Sequence, residues 1–222
     1  MNTKPLDIGY NLVQAVEEAY RTLKTNIQFC AAGQKLKTIT ITSCGAGEGK
    51  TTVATYLGVS FAQSGTRVLF VDADLRKPMN LKGVISQDIT GLSGFLSGIA
   101  SFGEVISETN INNLYAVACG PKPPSPAELI GMDRFKVFIK EAEEIFDYVI
   151  IDTPPLGSVI DAAIIASQTD GVIIVAQSNS SECRMILRVK EQLEKVNARI
   201  LGIVLNKLRG SEYKNYYNDY YY

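Results

Sequence analysis

The sequence predicts an α/β protein with a doubly wound, mainly parallel β-sheet and helices on both of its faces. Two observations predict this class. Short apolar segments alternate with segments of helical periodicity from residue 38 to residue 205, which is typical of successive βαβ units. Some of the apolar segments, such as 67–71 and 148–152, lack polar alternation, as expected for strands buried on both faces. No domain boundary or internal repeat interrupts this pattern.

Composition limits the possible functions. The 222 residues suffice for one large domain, and the formal net charge of −1 provides no basic field for nucleic acid, so no nucleic-acid partner is expected. The chain contains no histidine, so proton transfer would fall to carboxylates, lysine, tyrosine or cysteine. No apolar run approaches the ~20 residues of a membrane span and the N-terminus resembles no secretory signal, so we expect a cytoplasmic protein.

The segment 43–52 predicts a phosphate-binding P-loop between a strand at 38–42 and a helix at 52–63. Its glycines let backbone N–H groups turn inward around an anion, although Cys44 stands where the strict pattern has glycine. Lys50 would reach the β- and γ-phosphates, and the Thr51 hydroxyl suits Mg²⁺. The predicted nucleotide-binding residues of the loop are Gly45, Ala46, Gly47, Glu48, Gly49, Lys50, Thr51 and Thr52.

Acidic residues follow two of the predicted strands. Asp72 and Asp74 end the segment 67–71, and their spacing places both carboxylates on the same side of an extended chain. Asp152 ends the strand 148–152, as in a Walker B strand whose aspartate helps to hold Mg²⁺. Open α/β sheets bind ligands at the carboxyl ends of their strands, so we expect these acids beside the P-loop.

The remaining elements follow in order. Residues 79–113 predict loops and short helices, and the proline-rich stretch 120–126 predicts a stiff loop before a helix that starts near Ala127 or Glu128. Further strands are predicted at 114–118, 171–176 and 200–205, and further helices at 133–145, 159–167 and 181–196. Asn206 ends the last strand.

The two ends of the chain differ in character. Residues 11–28 predict an amphipathic helix with an apolar stripe and a charged face. Residues 210–222 hold six of the eleven tyrosines and no aliphatic residue, which predicts a flexible tail after a domain of residues 1–209. The tail tyrosines are Tyr213, Tyr216, Tyr217, Tyr220, Tyr221 and Tyr222.

These motifs resemble the bacterial tyrosine kinases of capsule and exopolysaccharide biosynthesis along essentially the whole chain. Beyond the P-loop and the tail, residues 71–76 resemble the family's Walker A′ motif and residues 150–155 its Walker B motif. Residues 18–24 resemble its E-x-x-R-x-x-R assembly motif, with Lys24 in place of the last arginine. This resemblance implies that the helix 11–28 is a subunit interface built on Glu18, Arg21 and Lys24, and that the P-loop NTPase fold is present.

The resemblance also implies an activity. The protein would transfer a phosphoryl group from ATP, with Mg²⁺, to the tail tyrosines of a neighbour in a homo-oligomeric ring. Lys50 would hold the phosphates, Asp72 would accept or orient the tyrosine proton, and Thr51, Asp74 and Asp152 would organise the metal. Asn206 resembles the adenine-contacting asparagine of related ATPases.

The partners implied by the resemblance are an activator and an antagonist. The activator is a membrane polysaccharide co-polymerase, present as a separate chain, whose juxtamembrane segment switches the kinase on at the inner face of the membrane. The antagonist is a tyrosine phosphatase. Such a kinase would regulate the polymerisation and export of the polysaccharide.

Two alternatives come from other functional classes. A partitioning or cell-division ATPase of the same fold carries a signature lysine five residues before the P-loop lysine, where this chain has Gly45, and it lacks a tyrosine tail. A nucleotide-gated scaffold would use the tail to recruit partners, and the intact Lys50, Thr51, Asp72 and Asp152 argue against it.

Overall fold

The computed structural model describes residues 6–9, 12–31, 33–77 and 90–208. Seven strands form one sheet in the order β3-β4-β2-β5-β1-β6-β7. The strands are β1 Thr38–Ser43, β2 Val68–Asp72, β3 Ser107–Glu108, β4 Leu114–Val117, β5 Tyr148–Asp152, β6 Gly171–Gln177 and β7 Ile200–Asn206. The helices are α1 Gln14–Cys30, α2 Lys50–Ala62, α3 Gly91–Leu96, α4 Phe102–Val105, α5 Pro126–Ile130, α6 Asp133–Ile145, α7 Asp161–Ala166 and α8 Cys183–Lys195.

The sheet is parallel except at one edge. Strand β1 lies between β5 and β6, β2 lies between β5 and β4, and all of these pairs are parallel. Only β3, two residues long, runs antiparallel to its neighbour β4. The predicted fold class, a mainly parallel doubly wound sheet, is therefore confirmed. The carboxyl ends of the parallel strands lie together, and there Asp72 of β2 lies level with Asp152 of β5.

Both faces of the central strands β1, β2, β5 and β6 are buried, and strand β2 illustrates how. Leu69 and Val71 pack with Phe135 and Phe138 in the core under helices α3 to α6. Val68 and Phe70 point the other way and pack in the core that contains α2 and part of α1. Successive side chains of a strand alternate between the two faces, so a strand covered on both sides, such as β2, can be apolar throughout. This explains the continuous apolar runs in the sequence.

The structure corrects several predicted boundaries. Helix α1 runs over Gln14–Cys30 and not over 11–28, and α2 begins at Lys50 and not at residue 52. The earlier start of α2 follows from Gly49, whose left-handed backbone (φ 93°) turns the chain directly into the helix. Helix α5 begins at Pro126, because a proline at the first helical position needs no hydrogen bond from its nitrogen.

The predicted loops and short helices of 79–113 include α3, α4 and the strand β3. Strand β3 has only two residues and thus no alternation that a sequence could display. The predictions for residues 78–89 and for the tail 210–222, including its six tyrosines, fall outside the described residues. Within the described ranges, no helix has the length and apolar character needed to cross a bilayer.

Candidate nucleotide-binding site

The P-loop connects β1 to α2, and two of its glycines adopt backbone conformations that favour glycine. Gly47 and Gly49 have φ values of 80° and 93°. A Cβ atom on Gly49 would also lie 2.1 Å from Nδ2 of Asn206, so any side chain there would displace the asparagine. The glycines therefore allow both the tight turn and the close approach of β7 to the loop.

The Glu48 side chain supports the loop from within. Its Oε2 accepts hydrogen bonds from the N–H groups of Cys44 and Gly45 at 2.8 and 2.9 Å. Its Oε1 accepts a hydrogen bond from the Ser181 hydroxyl, which in turn accepts one from the N–H of Gln177 at 2.8 Å. Because the Glu48 carboxylate holds the loop in place, only the backbone of Glu48 is left for the predicted contact with phosphate.

Lys50 and Thr51 open helix α2 toward the acidic residues. The Lys50 ammonium lies 3.9 Å from Oδ2 of Asp74. The Thr51 hydroxyl donates a hydrogen bond of 2.6 Å to Oδ2 of Asp152. The structure therefore brings together the P-loop, Walker A′ and Walker B residues that the sequence predicted at one edge of the sheet.

Asp152 is almost completely buried, and this burial perturbs its carboxyl. Burial raises the pKa of its carboxyl to about 7, against the opposing effects of Lys50 and the Thr51 hydrogen bond, and the charges of Asp72 and Asp74 add to the increase. Its Oδ1 is buried and has no hydrogen-bond partner in the described part of the chain. A buried carboxylate oxygen left unpaired beside a threonine hydroxyl fits a hard cation, since Mg²⁺ prefers oxygen ligands.

Those oxygens would hold Mg²⁺ through a small number of protein contacts. In the ranges that the structure describes, no group of three or more His, Cys, Asp or Glu side chains forms a metal cage. Mg²⁺ commonly takes one or two carboxylates, waters and substrate phosphates, so the Thr51 and Asp152 pair suits it better than a closed cage would.

Asp72 and Asp74 leave β2 in a tight turn. Oδ1 of Asp72 accepts the N–H of Asp74 at 3.1 Å. Oδ1 of Asp74 accepts the N–H groups of Arg76 and Lys77 at 3.2 and 3.0 Å, while its Oδ2 faces Lys50. One oxygen of Asp74 thus stabilises the turn and the other points into the site.

Comparisons with known proteins agree with this geometry. Residues 36–204 match a family model described as an AAA domain. The chain is 42% identical over 218 residues to a protein of Streptococcus agalactiae named tyrosine-protein kinase CpsD, and the match covers 95% of this chain and 94% of that one. The protein belongs to the bacterial tyrosine kinase family.

The chain shares its fold with solved structures of two kinds, tyrosine kinase domains and septum site-determining proteins. The kinase domain of the Escherichia coli tyrosine kinase ETK matches with a TM-score of 0.85 and 30% identity, covering 93% of this chain and 83% of that one. The septum site-determining protein MinD of Pyrococcus horikoshii, complexed with Mg-ADP, matches with a TM-score of 0.64 and 29% identity, covering 77% and 70%. The P-loop NTPase fold and the kinase relatives imply that the chain binds a nucleotide.

Other residues of the kinase site were missed by the sequence analysis. Arg76 makes two hydrogen bonds of 2.8 Å to the fully buried carboxylate of Asp161, the first residue of α7. The buried Cys119 thiol lies beside Asp72, and its pKa is raised to about 12, first by burial and then by the charge of Asp72 and a hydrogen bond to it. In both pairs the two residues are far apart in the sequence, so no local pattern could have indicated these contacts.

The end of β7 meets the P-loop of the kinase directly. Asn206, predicted to contact adenine, donates through Nδ2 to the carbonyl oxygen of Glu48 at 2.9 Å. Lys207, which the sequence analysis did not single out, donates to the carbonyl oxygen of Gly47 at 2.6 Å. A lysine after a strand is too common to serve as a signal, so only the structure could identify it.

The predicted interface residues lie on α1, away from the P-loop sequence. Arg21 and Glu18 form an exposed ion pair at 3.3 Å. Helix α1 packs on α2 through the rings of Tyr20 and Tyr56, whose centroids are 5.6 Å apart. A groove of about 550 Å³ lies between α1 and β7, with a mainly apolar lining that includes Val16, Tyr20, Leu23, Val53, Ile203 and Leu205.

Proposed function

We propose that the protein is an ATP- and Mg²⁺-dependent protein-tyrosine kinase that phosphorylates its own C-terminal tyrosines. The observation that carries the proposal is the convergence of Lys50, the Thr51–Asp152 pair and Asp72 at one edge of the sheet. The 42% identity to a named tyrosine-protein kinase supports the reaction type. We infer a role in regulating the polymerisation and export of a capsular or extracellular polysaccharide.

The P-loop and Lys50 would bind and neutralise the phosphates. The loop N–H groups and the start of α2 favour anions, and the Lys50 ammonium adds a full charge beside Asp74. Mg²⁺, when bound through Thr51, Asp74 and Asp152, would neutralise charge that develops on the transferred phosphoryl group. Catalysis would then come mostly from positioning and electrostatic stabilisation.

Asp72 would orient the tyrosine hydroxyl. A tyrosine has a reference pKa of about 10, so at neutral pH a nearby carboxylate accepts its proton late in the transfer. Asp72 lies level with Asp152 across the β2–β5 pair, which supports a place for its carboxylate in the same site.

The tail would be phosphorylated in the active site of a neighbouring subunit. The chain leaves β7 at Asn206, which contacts the P-loop, so the last described residues lie beside the predicted phosphate site. Entry of the tail into its own site would demand a tight reversal of the chain, whereas delivery to the next subunit would not. The proposed acceptors are the six tyrosines of residues 210–222.

Helix α1 would form the subunit contact. Its N-cap residue Val13 and its residue Val16 are exposed, and the groove with β7 adds Ile203 and Leu205. The same helix carries the exposed ion pair of Glu18 and Arg21, and exposed apolar and charged side chains together are typical of protein interfaces. We propose a closed, head-to-tail ring, with Lys24 contributing to the same face.

The regulators would be other chains. We propose that a membrane polysaccharide co-polymerase, as a separate activator chain, recruits the kinase to the inner face of the membrane. A tyrosine phosphatase would reverse the modification. The alternatives are a partitioning-type ATPase switch, which Gly45 disfavours because the signature lysine of that class would stand there, and a nucleotide-gated scaffold.

The decisive experiment is an anti-phosphotyrosine blot of the purified protein with and without ATP and Mg²⁺. We expect a signal from wild type only when both are present, and none from Lys50→Met, because the lost contact is to ligand charge. The Lys50→Met protein should remain folded without nucleotide, which circular dichroism checks. Nucleotide binding without any phosphotyrosine, also after addition of the activator's juxtamembrane segment, would favour the ATPase switch or the scaffold.

Light scattering tests the proposed ring. Lys50→Met should form a large oligomer, whereas Arg21→Ala and fully phosphorylated wild type should be near-monomeric. Each phosphate adds about −1.5 to −2 charges at neutral pH, so a modified tail should be repelled from a site that holds Asp72, Asp74 and Asp152. An oligomer that is unchanged by phosphorylation or by loss of Arg21 would refute this assembly.

A further inference from the structure

Two side chains at the end of β7 grip consecutive carbonyl groups of the P-loop. Asn206 donates to the carbonyl oxygen of Glu48 at 2.9 Å, and the Lys207 ammonium donates to that of Gly47 at 2.6 Å. Lys207 also donates to Oε1 of Gln177, at the end of β6, at 3.0 Å. The ends of two adjacent strands therefore hold the loop from one side.

The direction of these carbonyls determines the direction of two N–H groups. In a trans peptide unit the N–H points opposite to the C=O. The unit that contains the Gly47 carbonyl also carries the N–H of Glu48, and the unit with the Glu48 carbonyl carries the N–H of Gly49. Because both carbonyls face β7, both N–H groups face the opposite side of the loop. Successive N–H groups aimed to one side are what a phosphate-binding nest requires.

The backbone of Lys207 supports a specific role. Its φ of 58° lies in the left-handed region, which few residues other than glycine and asparagine adopt. Such strained positions persist only where the surroundings hold them, and they cluster at ligand sites. Here the contacts to Gly47 and Gln177 hold the side chain, although the residue is exposed.

Gly49 is the counterpart of this contact on the loop. Its missing Cβ leaves the space that Nδ2 of Asn206 occupies, since a Cβ there would lie 2.1 Å away. Gly49 in the loop and Asn206 in β7 therefore both contribute to the close approach of β7 to the loop. One N–H of the Asn206 amide is used for the loop, so a contact of this residue with adenine would have to come from its oxygen or from its second N–H.

We propose that Lys207, with Asn206, is a positioning residue that presets the N–H groups of Glu48 and Gly49 for the β-phosphate of a bound nucleotide. This inference rests on the nucleotide binding of the proposed function. It assigns Lys207 no contact with the nucleotide itself. The ammonium acts through the peptide unit between Gly47 and Glu48.

The test is calorimetric titration of Mg²⁺·ATP and Mg²⁺·ADP into four proteins: wild type, Lys207→Met, Lys207→Gly and Lys207→Arg. We expect the Met and Gly variants to raise the Kd of both nucleotides by the same factor, about tenfold, the scale of one charge-assisted hydrogen bond. The factor should be equal because the β-phosphate is common to both nucleotides. Arginine should restore most of the affinity, since it can also donate to the Gly47 carbonyl.

The two weakened variants control for backbone strain. Glycine relieves the left-handed conformation and methionine retains it, so the Gly variant should unfold at a temperature equal to or above that of the Met variant. Their equal loss of affinity would then exclude strain as its cause. Lys140→Met, which removes an ammonium from the exposed face of α6, should leave both Kd values unchanged.

Three outcomes would overturn the inference. The first is an unchanged affinity for both nucleotides in the Met and Gly variants. The second is a loss of affinity confined to ATP, which would mean direct contact with the terminal phosphate. The third is a loss of affinity that follows the unfolding temperature of the variants. Wild type is titrated first. Wild-type protein that fails to bind ADP would overturn this inference and the proposed function together, whereas normal wild-type binding with unaffected variants would overturn the inference alone.

Discussion

The parallel strands carry aspartates near both their amino ends and their carboxyl ends, and the aspartates at these two edges of the sheet have different roles. At the amino ends of the strands, Oδ2 of Asp170 accepts the N–H groups of Lys37 and Thr38 at 2.7 and 2.9 Å. Oδ2 of Asp147 there accepts the N–H of Arg67 at 2.8 Å. At the carboxyl ends, Asp152 keeps one buried oxygen without a hydrogen-bond partner among the described residues.

The lysines of the two edges differ in the same way. Lys37 donates to the carbonyl oxygens of Glu143 and Phe146 at 2.9 and 3.4 Å, at the end of α6. Lys50 stands 3.9 Å from Asp74, beyond hydrogen-bond distance. One edge thus uses its charged groups to close the fold, while the other keeps hydrogen-bonding capacity for a ligand. Substitutions at the first edge should change stability, and those at the second should change activity and pH response.

The largest effect is expected from Asp152. Its pKa is raised to about 7, so its contribution to stability is fully present below the unfolded pKa near 4 and is lost as pH rises through 7. Without metal, wild type should lose roughly 2–3 kcal/mol more stability than Asp152→Asn between pH 5 and pH 8, at about 1.4 kcal/mol per pKa unit. Urea unfolding in the presence of EDTA measures this difference.

The charges around Asp152 act on its pKa in both directions. Lys50 opposes the increase in pKa, and Asp72 and Asp74 reinforce it. Mg²⁺ with nucleotide should reverse the loss for wild type, because the cation stabilises the carboxylate. Parallel pH curves for wild type and Asp152→Asn would show that the buried carboxyl is not perturbed in solution.

The next largest effect is expected from Asp72→Asn. Turnover should fall by a factor on the order of 10², the usual scale for loss of a positioned base. ATP affinity should fall much less. Asparagine keeps an oxygen for the N–H of Asp74, so the turn after β2 should survive. Steady-state kinetics and calorimetry separate the two effects, and a matched loss of ATP binding would instead make Asp72 chiefly a metal ligand.

The smallest effect is expected at the opposite edge. Asp170→Ala should leave the N–H groups of Lys37 and Thr38 without their acceptor and cost about 2 kcal/mol of stability. The melting temperature should fall by roughly 4–8 °C in a domain of this size. Asp170→Asn, which keeps an acceptor oxygen, should lose less. Altered nucleotide affinity in either variant would show that the two edges are not independent.

The sequence alone was enough to predict the fold class and the main parts of the site. Alternating apolar and amphipathic segments predicted the layers, because the two periodicities follow from local backbone geometry. The P-loop and the acids at 72, 74 and 152 were predicted because glycine conformation and the ends of parallel strands are local properties. The structure brings these parts together at one edge. Their roles with ATP and Mg²⁺ remain predictions.

Only the tertiary structure decided which distant residues meet and which charges are buried. Arg76 pairs with Asp161, 85 positions away, and Lys207 reaches the carbonyl of Gly47 across 160 positions. The raised pKa of Asp152 likewise depends on the helices and strands that exclude water from it. Strand order sets such contacts, and it results from packing the whole chain, because each apolar strand alone would fit almost any place in a buried sheet.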